Sequence, residues 1–440
     1  MIIDQRQKFK SSTAGIDIHY LGDFEWELVG VEYPNVRLSR GEELLHHKRF
    51  SLLRELVGDK KTLVRLARKV DITYQKEKAK RSTENSESEK PRWLENRELL
   101  ETAEREVAQK LEEFMSLPGS ERVGKYHDWL RNVVLKDIMA GEEDNKVCGF
   151  VIILFGKKYI LLLQGKSSIG KNLLVYSFIQ MTEHYKTNRI TRYGLDYLSP
   201  DEVFGKILYL KEAEDFEGHF GFVLKSLEDF EDDDWITYKV TYPIRDEKTG
   251  KITAYTQTSL KLKALVSTTN IEYILTPGVQ ERMFFIKLDD SAEQNRKVLK
   301  FIDREETQKQ EVKQGLRKWT DREWSLALAY CLWRKLNEIT DEVIIPYDNL
   351  AEIVLGALAS DVEVRRHARK LRRFVEWFAR AFILFLPVVE VNGKKVRVVT
   401  LDVLKLAVRY FYHLIEAKQK FKSPHILRFA EKLLEEYRDQ

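Results

Sequence analysis

GKSSIGKN, residues 165–172, is the stretch from which the rest of this chain can be read. It departs by one residue from the phosphate-binding pattern G-x-x-x-x-G-K-[ST], because Asn172 stands where a hydroxyl residue is expected. The apolar run YILLLQ (159–164) comes before it and predicts a strand; NLLVYSFIQMTEHY (172–185) follows and predicts a helix. Strand, glycine loop and helix form the context the pattern requires. The glycines let the loop wrap tightly with its backbone N–H groups aimed at phosphate oxygens, and the helix start adds positive dipole character. Gly165, Lys166, Ser167, Ser168, Gly170, Lys171 and Asn172 are the candidate cradle, with Lys171 directed at the β- and γ-phosphates.

Working outward, ILYL (207–210) reads as a second strand running into KEAED (211–215). A P-loop ATPase needs an acidic strand end, one carboxylate for the metal-bound water shell and the next for the attacking water. In that register the first acidic position falls at Lys211 and the second at Glu212; a strand entering an acidic surface turn is the plainer alternative. KALVSTTN (263–270) predicts a third strand, and Asn270 fits either an amide that orients the lytic water or an ordinary turn residue. PGVQERMFFIKL (277–288) sets Arg282 before a further strand, where an arginine can stabilise phosphoryl charge across a subunit boundary or simply lie on the surface. TYPIRDEKTGKITAYTQ (241–257) predicts a β-hairpin about the turn 246–251, with Thr249-Gly250 suited to positive φ. Arg245, Lys248 and Lys251 cluster near its tip as candidate contacts to a nucleic-acid backbone, while Tyr242 and Tyr255 either stack on bases or pack.

The 440 residues exceed what one hydrophobic core usually covers. With 43% hydrophobic and 33% charged residues the chain forms a core under a charged surface, and a net charge of +4 confines any nucleic-acid contact to local basic clusters. Cys148 and Cys331 lie far apart in apolar stretches, which predicts buried thiols rather than a zinc site or a disulfide. No signal-peptide pattern and no apolar run of membrane-spanning length occur, so a cytoplasmic protein without membrane association is expected. Five segments follow. Residues 1–74 form a small α+β domain, with strand character over 24–38 broken at Pro34 and helical periodicity over 43–70; 75–92 is a charged linker; 93–145 is a helical connector. Residues 146–290 alternate strand and helix, the mark of a mostly parallel sheet, and 291–440 are helical apart from a hairpin within 386–401 turning at Asn392-Gly393. EVRRHARKLRRF (363–374) predicts a helix with one apolar face and a solvated basic face. HHKRF (46–50) lacks the partners of a metal site, and EDFEDDDW (228–235) reads as a solvated helix end.

In order and spacing these features resemble the AAA+ ATPases, and most closely a clade of mobile-element and viral replication ATPases similar to the minichromosome-maintenance and superfamily 3 helicases. The segments that carry the resemblance are GKSSIGKN, 190–215, 241–270 and 129–146; it covers roughly 125–410, and 20–75 faintly. It implies an α/β fold: a P-loop AAA+ core with a parallel sheet, a helical lid with a winged-helix-like C-terminal part, and a small mixed N-terminal domain. It further implies a hexameric ring with ATP and Mg²⁺ at subunit interfaces, acting as a helicase or translocase on single-stranded or forked DNA in replication of an archaeal or viral mobile element. By position it assigns Glu212 to catalysis, Asn270 to the sensor-1 role, Arg282 to the finger, Arg365 or preferably Arg366 to sensor 2, and 241–257 to a hairpin in the central channel. Residues 1–74 would recruit a primase or other replication proteins, bind DNA, or rim the ring.

Two departures fall on the same ion. Asn172 replaces the Mg²⁺-binding hydroxyl and Lys211 the first acid. Asn172 is at best a weak metal ligand through its amide oxygen; Lys211 would repel the ion unless it turns away and Glu214 or Asp215 substitutes. Nucleotide binding that survives with weakened Mg²⁺-dependent hydrolysis is the expectation. Two other readings stay open: a non-motor AAA+ initiator or loader, and an ATP-stabilised DNA-binding scaffold.

Overall fold

The computed structural model describes residues 91–165, 170–187, 203–211, 263–269, 283–355 and 364–418, together with the backbone of strands at 7–9, 16–22, 25–30, 33–38, 236–245 and 252–262. The chain divides into two compact units, Met1–Glu89 and Lys90–Gln440. The first carries a four-stranded antiparallel sheet in sequential order, β1 (Gln7–Phe9), β2 (Ile16–Gly22), β3 (Glu25–Gly30) and β4 (Tyr33–Leu38). Pro34 does not break strand structure as expected. It lies inside β4, and β4 is a sheet edge, where a missing N–H leaves no neighbour unpaired. The helical stretch expected at 43–70 and the histidine pair at 46–47 lie outside the described residues.

In the second unit α1 (Arg92–Glu95), α2 (Arg97–Ser116) and α3 (Gly119–Trp129) lead through a π-helical turn (Leu130–Val134) and a 3₁₀ turn (Lys136–Ile138) into α4 (Glu143–Phe155). Asn96 caps α2 by accepting from the Leu99 N–H. Every residue of α4 from Asn145 to Phe155 is buried, so this helix runs through the core.

Five strands form the central sheet: β5 (Tyr159–Gln164), β6 (His184–Thr187), β7 (Ile207–Leu210), β10 (Ala264–Thr269) and β11 (Phe284–Lys287). All neighbours are parallel, in the order β11-β5-β10-β7-β6. Parallel strands buried on both faces read as continuous apolar runs, as YILLL and ILYL do. Between β7 and β10 the chain makes an antiparallel hairpin, β8 (Ile236–Arg245) and β9 (Ile252–Leu262). A single residue, Lys263, joins β9 to β10, so the hairpin leaves from the edge where the parallel strands begin.

After β5, α5 spans Lys171–Ile179 and stops short of the helix expected to 185. The Thr182 hydroxyl donates to the Ile179 carbonyl, and by His184 the chain has become β6, paired with β7. Sheet pairing at the edge overrides the apolar periodicity that continues through Met181.

C-terminal to the sheet come α6 (Ala292–Lys313), α7 (Asp321–Asn337), β12 (Glu342–Ile344), α8 (Leu350–Leu355), α9 (Val364–Ala381), the hairpin β13 (Val388–Val391) and β14 (Lys394–Val398), and α10 (Leu401–Lys418). Thr320 and Glu323 form a reciprocal capping box at α7. Asn392 and Gly393 take φ of +52° and +75°, the two left-handed positions of a tight hairpin turn, and β12 adds to β14. One hydrophobic core includes the connector helices, the sheet and these C-terminal helices. Tyr126 shows how they are joined: its hydroxyl donates to the Ala381 carbonyl at 2.8 Å, and its ring lies 4.9 Å from Phe382. Cys148 is fully buried, whereas Cys331 is half-buried with its thiol against the Leu100 carbonyl; burial pushes the Cys331 thiol up to about 12.

Candidate nucleotide site

The register of the parallel strands brings Gln164, Thr269 and Leu210 to one edge of the sheet. In an open α/β sheet that carboxyl edge is where ligands sit. Gly165 follows β5 there, and Gly170 begins the turn into α5 at φ +92°, a conformation that L side chains rarely adopt. A Cβ on Gly170 would also stand 3.3 Å from the Met139 methyl, so this glycine lies close against Met139.

Lys171 is buried, and its Nζ donates to the Gly165 carbonyl at 2.7 Å. The ammonium is therefore folded back onto the residue that follows β5, in a hydrogen bond that an arriving phosphate can replace. Lys166, Ser167 and Ser168 lie outside the described residues.

Asn172 occupies the next position on α5. Its Oδ1 accepts from the Tyr209 hydroxyl at 3.1 Å and lies 3.0 Å from Thr268 Oγ1. The Thr268 hydroxyl, with a single proton, also sits against the Lys211 carbonyl. Ser267 adds a parallel bond, donating to the Leu210 carbonyl at 3.0 Å. Burial, with a smaller push from Tyr176, raises the Tyr209 phenol far above its ordinary range and keeps it a donor. Two strands, β7 and β10, and the first turn of α5 are thus tied together around the position that departs from the phosphate pattern. Tyr209 and Thr268 were not anticipated as site residues. Their signals were a phenol within the apolar run ILYL and the hydroxyl cluster Ser267-Thr268-Thr269 that ends β10.

These donors do not fit the metal ion that the AAA+ resemblance implies. Mg²⁺ takes oxygen ligands in octahedral geometry at about 2.0–2.1 Å. The Asn172 amide oxygen already accepts from the Tyr209 hydroxyl and has the Thr268 oxygen 3.0 Å away, and the adjoining strand end brings a lysine, Lys211. Among the described residues no group of three His, Cys, Asp or Glu could hold a metal. Glu212, Glu214, Asp215 and Asn270 lie outside the described residues, as do Arg282, Lys248, Lys251 and the acidic run 228–235.

Support for the loop comes from beneath. Lys146, almost wholly buried on α4, donates from Nζ to the carbonyls of Lys136 (2.8 Å) and Met139 (3.3 Å), and burial lowers it to about 8. Arg322 on α7 reaches the Ile138 carbonyl and the Ser177 hydroxyl of α5, both at 3.3 Å, with Glu305 at 3.6 Å.

The opposite edge, where the strands begin, receives α9. Lys370 donates to the Met283 carbonyl at 2.7 Å, Arg373 to that of Lys158 at 3.5 Å, and Arg372 to those of Tyr347 and Asp348 at 3.2 and 2.9 Å. Part of the basic face expected to be solvated is instead bound to backbone carbonyls. Leu371, Phe374, Trp377 and Phe378 face the core as expected. Arg366 belongs to the first turn of α9, one turn before Lys370, and Arg245 ends β8, with Ile252 as its partner across the hairpin. Tyr242 pairs with Tyr255 on one face of that hairpin.

No protein-family model and no curated protein matches the chain. Among solved structures, a proposed ATPase from Cytophaga hutchinsonii shares 13% identity over 72% of this chain and 96% of its own, with a TM-score of 0.34. The JCV helicase bound to a small acetamide compound shares 13% identity over 66% of this chain and 73% of its own, with a TM-score of 0.25. At these scores the functional reading rests on the chain's own residues. No helix among the described residues is long and apolar enough to cross a membrane.

Proposed function

We propose that this chain is an ATPase of the AAA+ type that works as a ring on DNA, as helicase or translocase. One observation carries the proposal. A glycine loop with a folded-back lysine, Lys171 on Gly165, opens a helix at the carboxyl edge of a five-stranded parallel sheet. β10 separates the loop-bearing strand from β7, so the two strand ends stand about 10 Å apart. That spacing leaves room for a triphosphate and a water between Lys171 and the carboxylates after Leu210. In this scheme Lys171 moves from the Gly165 carbonyl to phosphate, Glu212 takes the proton of the attacking water, and Asn270, following β10, orients that water.

Arg282 is assigned as the finger on the site of a neighbouring copy, and Arg366 to the sensor-2 role on the lid helix. An arginine acting across a subunit boundary favours an assembly over a lone chain; six copies is the number inherited from the resemblance. The hairpin β8–β9, rooted at the edge where the parallel strands begin, carries Arg245, Lys248 and Lys251 toward DNA. The second reading, a loader or ATP-stabilised scaffold with slow hydrolysis, is favoured by Asn172 and Lys211.

Hydrolysis by the full chain, with and without single-stranded DNA, separates the two. DNA-stimulated turnover that is lost in Lys171→Ala supports the motor. ATP binding without turnover transfers the assignment to the scaffold.

A further inference from the structure

Three features of the molecule invite a further reading: the engaged amide at Asn172, the exposed β13 edge of Val388, Val389 and Val391, and the apolar hollow lined by Phe284, Lys370 and Phe411. The first carries an inference furthest.

We propose that Lys211 supplies, as a fixed side-chain ammonium, the positive charge that a divalent ion would bring to the phosphates, so that this chain binds nucleoside triphosphate without a metal. The proposal rests on the P-loop reading above and deepens it.

Charge bookkeeping is the first argument. A carboxylate together with a divalent cation carries one net positive charge, and a lysine at the same strand end carries the same charge alone. Lys211 therefore leaves the net field at the phosphates as an acid–metal pair would, with no ion to recruit.

Placement is the second. Lys211 directly follows β7, two residues beyond Tyr209, whose hydroxyl reaches Asn172 on the first turn of α5. The backbone at this point is held: the Lys211 carbonyl accepts from Thr268 and the Leu210 carbonyl from Ser267. The strand end is pinned to β10 at the same sheet edge from which Gly165 and Lys171 follow β5.

The oxygen at position 172 already accepts from the Tyr209 hydroxyl, with the Thr268 oxygen packed 3.0 Å away, and a metal there would have to displace the first and clear the second. An ammonium needs none of these oxygens, since it donates three protons directly to phosphate.

The test is ATP affinity of the full chain, measured by calorimetry or with a fluorescent ATP analogue, in millimolar Mg²⁺ and in excess EDTA. The proposal expects the two dissociation constants to agree within about fivefold, that is about 1 kcal/mol. Lys211→Asp should lose at least about tenfold in EDTA and regain affinity with Mg²⁺, because a restored acid needs the ion again. A wild-type affinity that falls more than about fivefold in EDTA overturns the proposal, as does a Lys211→Asp variant indifferent to EDTA. Where wild-type binding depends on Mg²⁺ and is lost in Lys171→Ala, the P-loop reading stands without this inference. Where ATP binds in neither buffer, both fall. The wild-type comparison is decisive even if the variant fails to fold.

Discussion

The two edges of the parallel sheet are built from the same five strands and differ in almost everything else. Where the strands begin, Tyr159 and Phe284 lie under Trp377, and Lys370 and Arg373 donate to the carbonyls of Met283 and Lys158. Where they end, small hydroxyls (Ser267, Thr268), one buried phenol and the Lys171 ammonium gather around a glycine turn. One edge is closed by aromatic packing and by cations bound to backbone carbonyls. The other keeps its donors on short, reversible bonds such as Lys171 to Gly165, which a phosphate can replace. Rigidity at the first edge is what lets the second be polar, because a strand held at one end can present unmatched chemistry at the other.

The largest expected break in this contrast is Trp377→Ala. The indole lies 5.5 Å from the Tyr159 ring and 5.3 Å from that of Phe284, centroid to centroid, and is almost wholly buried. Truncating a buried aromatic of this size costs about 3–5 kcal/mol. Urea unfolding should show that loss, while the molecules still folded bind ATP with unchanged affinity. A matching loss of affinity in the folded fraction would mean that the two edges are coupled rather than divided in labour.

A comparable but pH-limited effect belongs to Lys146, which supports the loop from below. Its folded pKa of about 8 lies under the ordinary lysine value, so between about pH 8 and 10.4 the unfolded chain holds a proton that the folded chain does not. Stability from this group therefore rises with pH through that window and is constant below it. Somewhat over two pH units at about 1.4 kcal/mol each give about 3 kcal/mol, as an order of magnitude. Lys263, also lowered to about 8 by burial and then by Lys157, acts in the same direction. Urea midpoints across the window should climb in the wild type and climb less in Lys146→Met; equal slopes would mean that Lys146 is charged and solvated in the folded state.

The contrast between edges was partly legible in the sequence. The apolar runs at 159–164, 207–210, 264–269 and 284–287 announced buried parallel strands. The Asn392-Gly393 turn and the 241–257 hairpin were equally local, since positive φ and alternation are properties of short segments. What could not be read were bonds set by strand order. Tyr209 meets Asn172 across 37 residues and Thr268 meets it across 96, and nothing within either segment specifies the partner. The same holds for Lys370 and Arg373, whose even spacing read as a solvated face until the starts of β11 and β5 supplied carbonyls. The early end of α5 likewise came from an edge pairing that its own sequence does not contain.

The smallest expected effect is the sharpest test of the open edge. Tyr209→Phe removes one hydroxyl and nothing else from a buried ring. The bond it deletes contributes about 0.5–1.5 kcal/mol, toward the lower figure here because Asn172 is exposed and water can replace the phenol. Stability should fall by that amount or less. The informative readout is metal dependence. Freed from Tyr209, the Asn172 amide oxygen has one hydroxyl neighbour in place of two and becomes a better ligand for a hard cation. ATP affinity of Tyr209→Phe should then rise with Mg²⁺ relative to EDTA by a measurable factor, about twofold to tenfold, while the wild type responds less. If the variant answers Mg²⁺ as the wild type does, the Tyr209 bond is packing detail. In that case the departure at position 172 has to be explained by the amide itself rather than by what holds it.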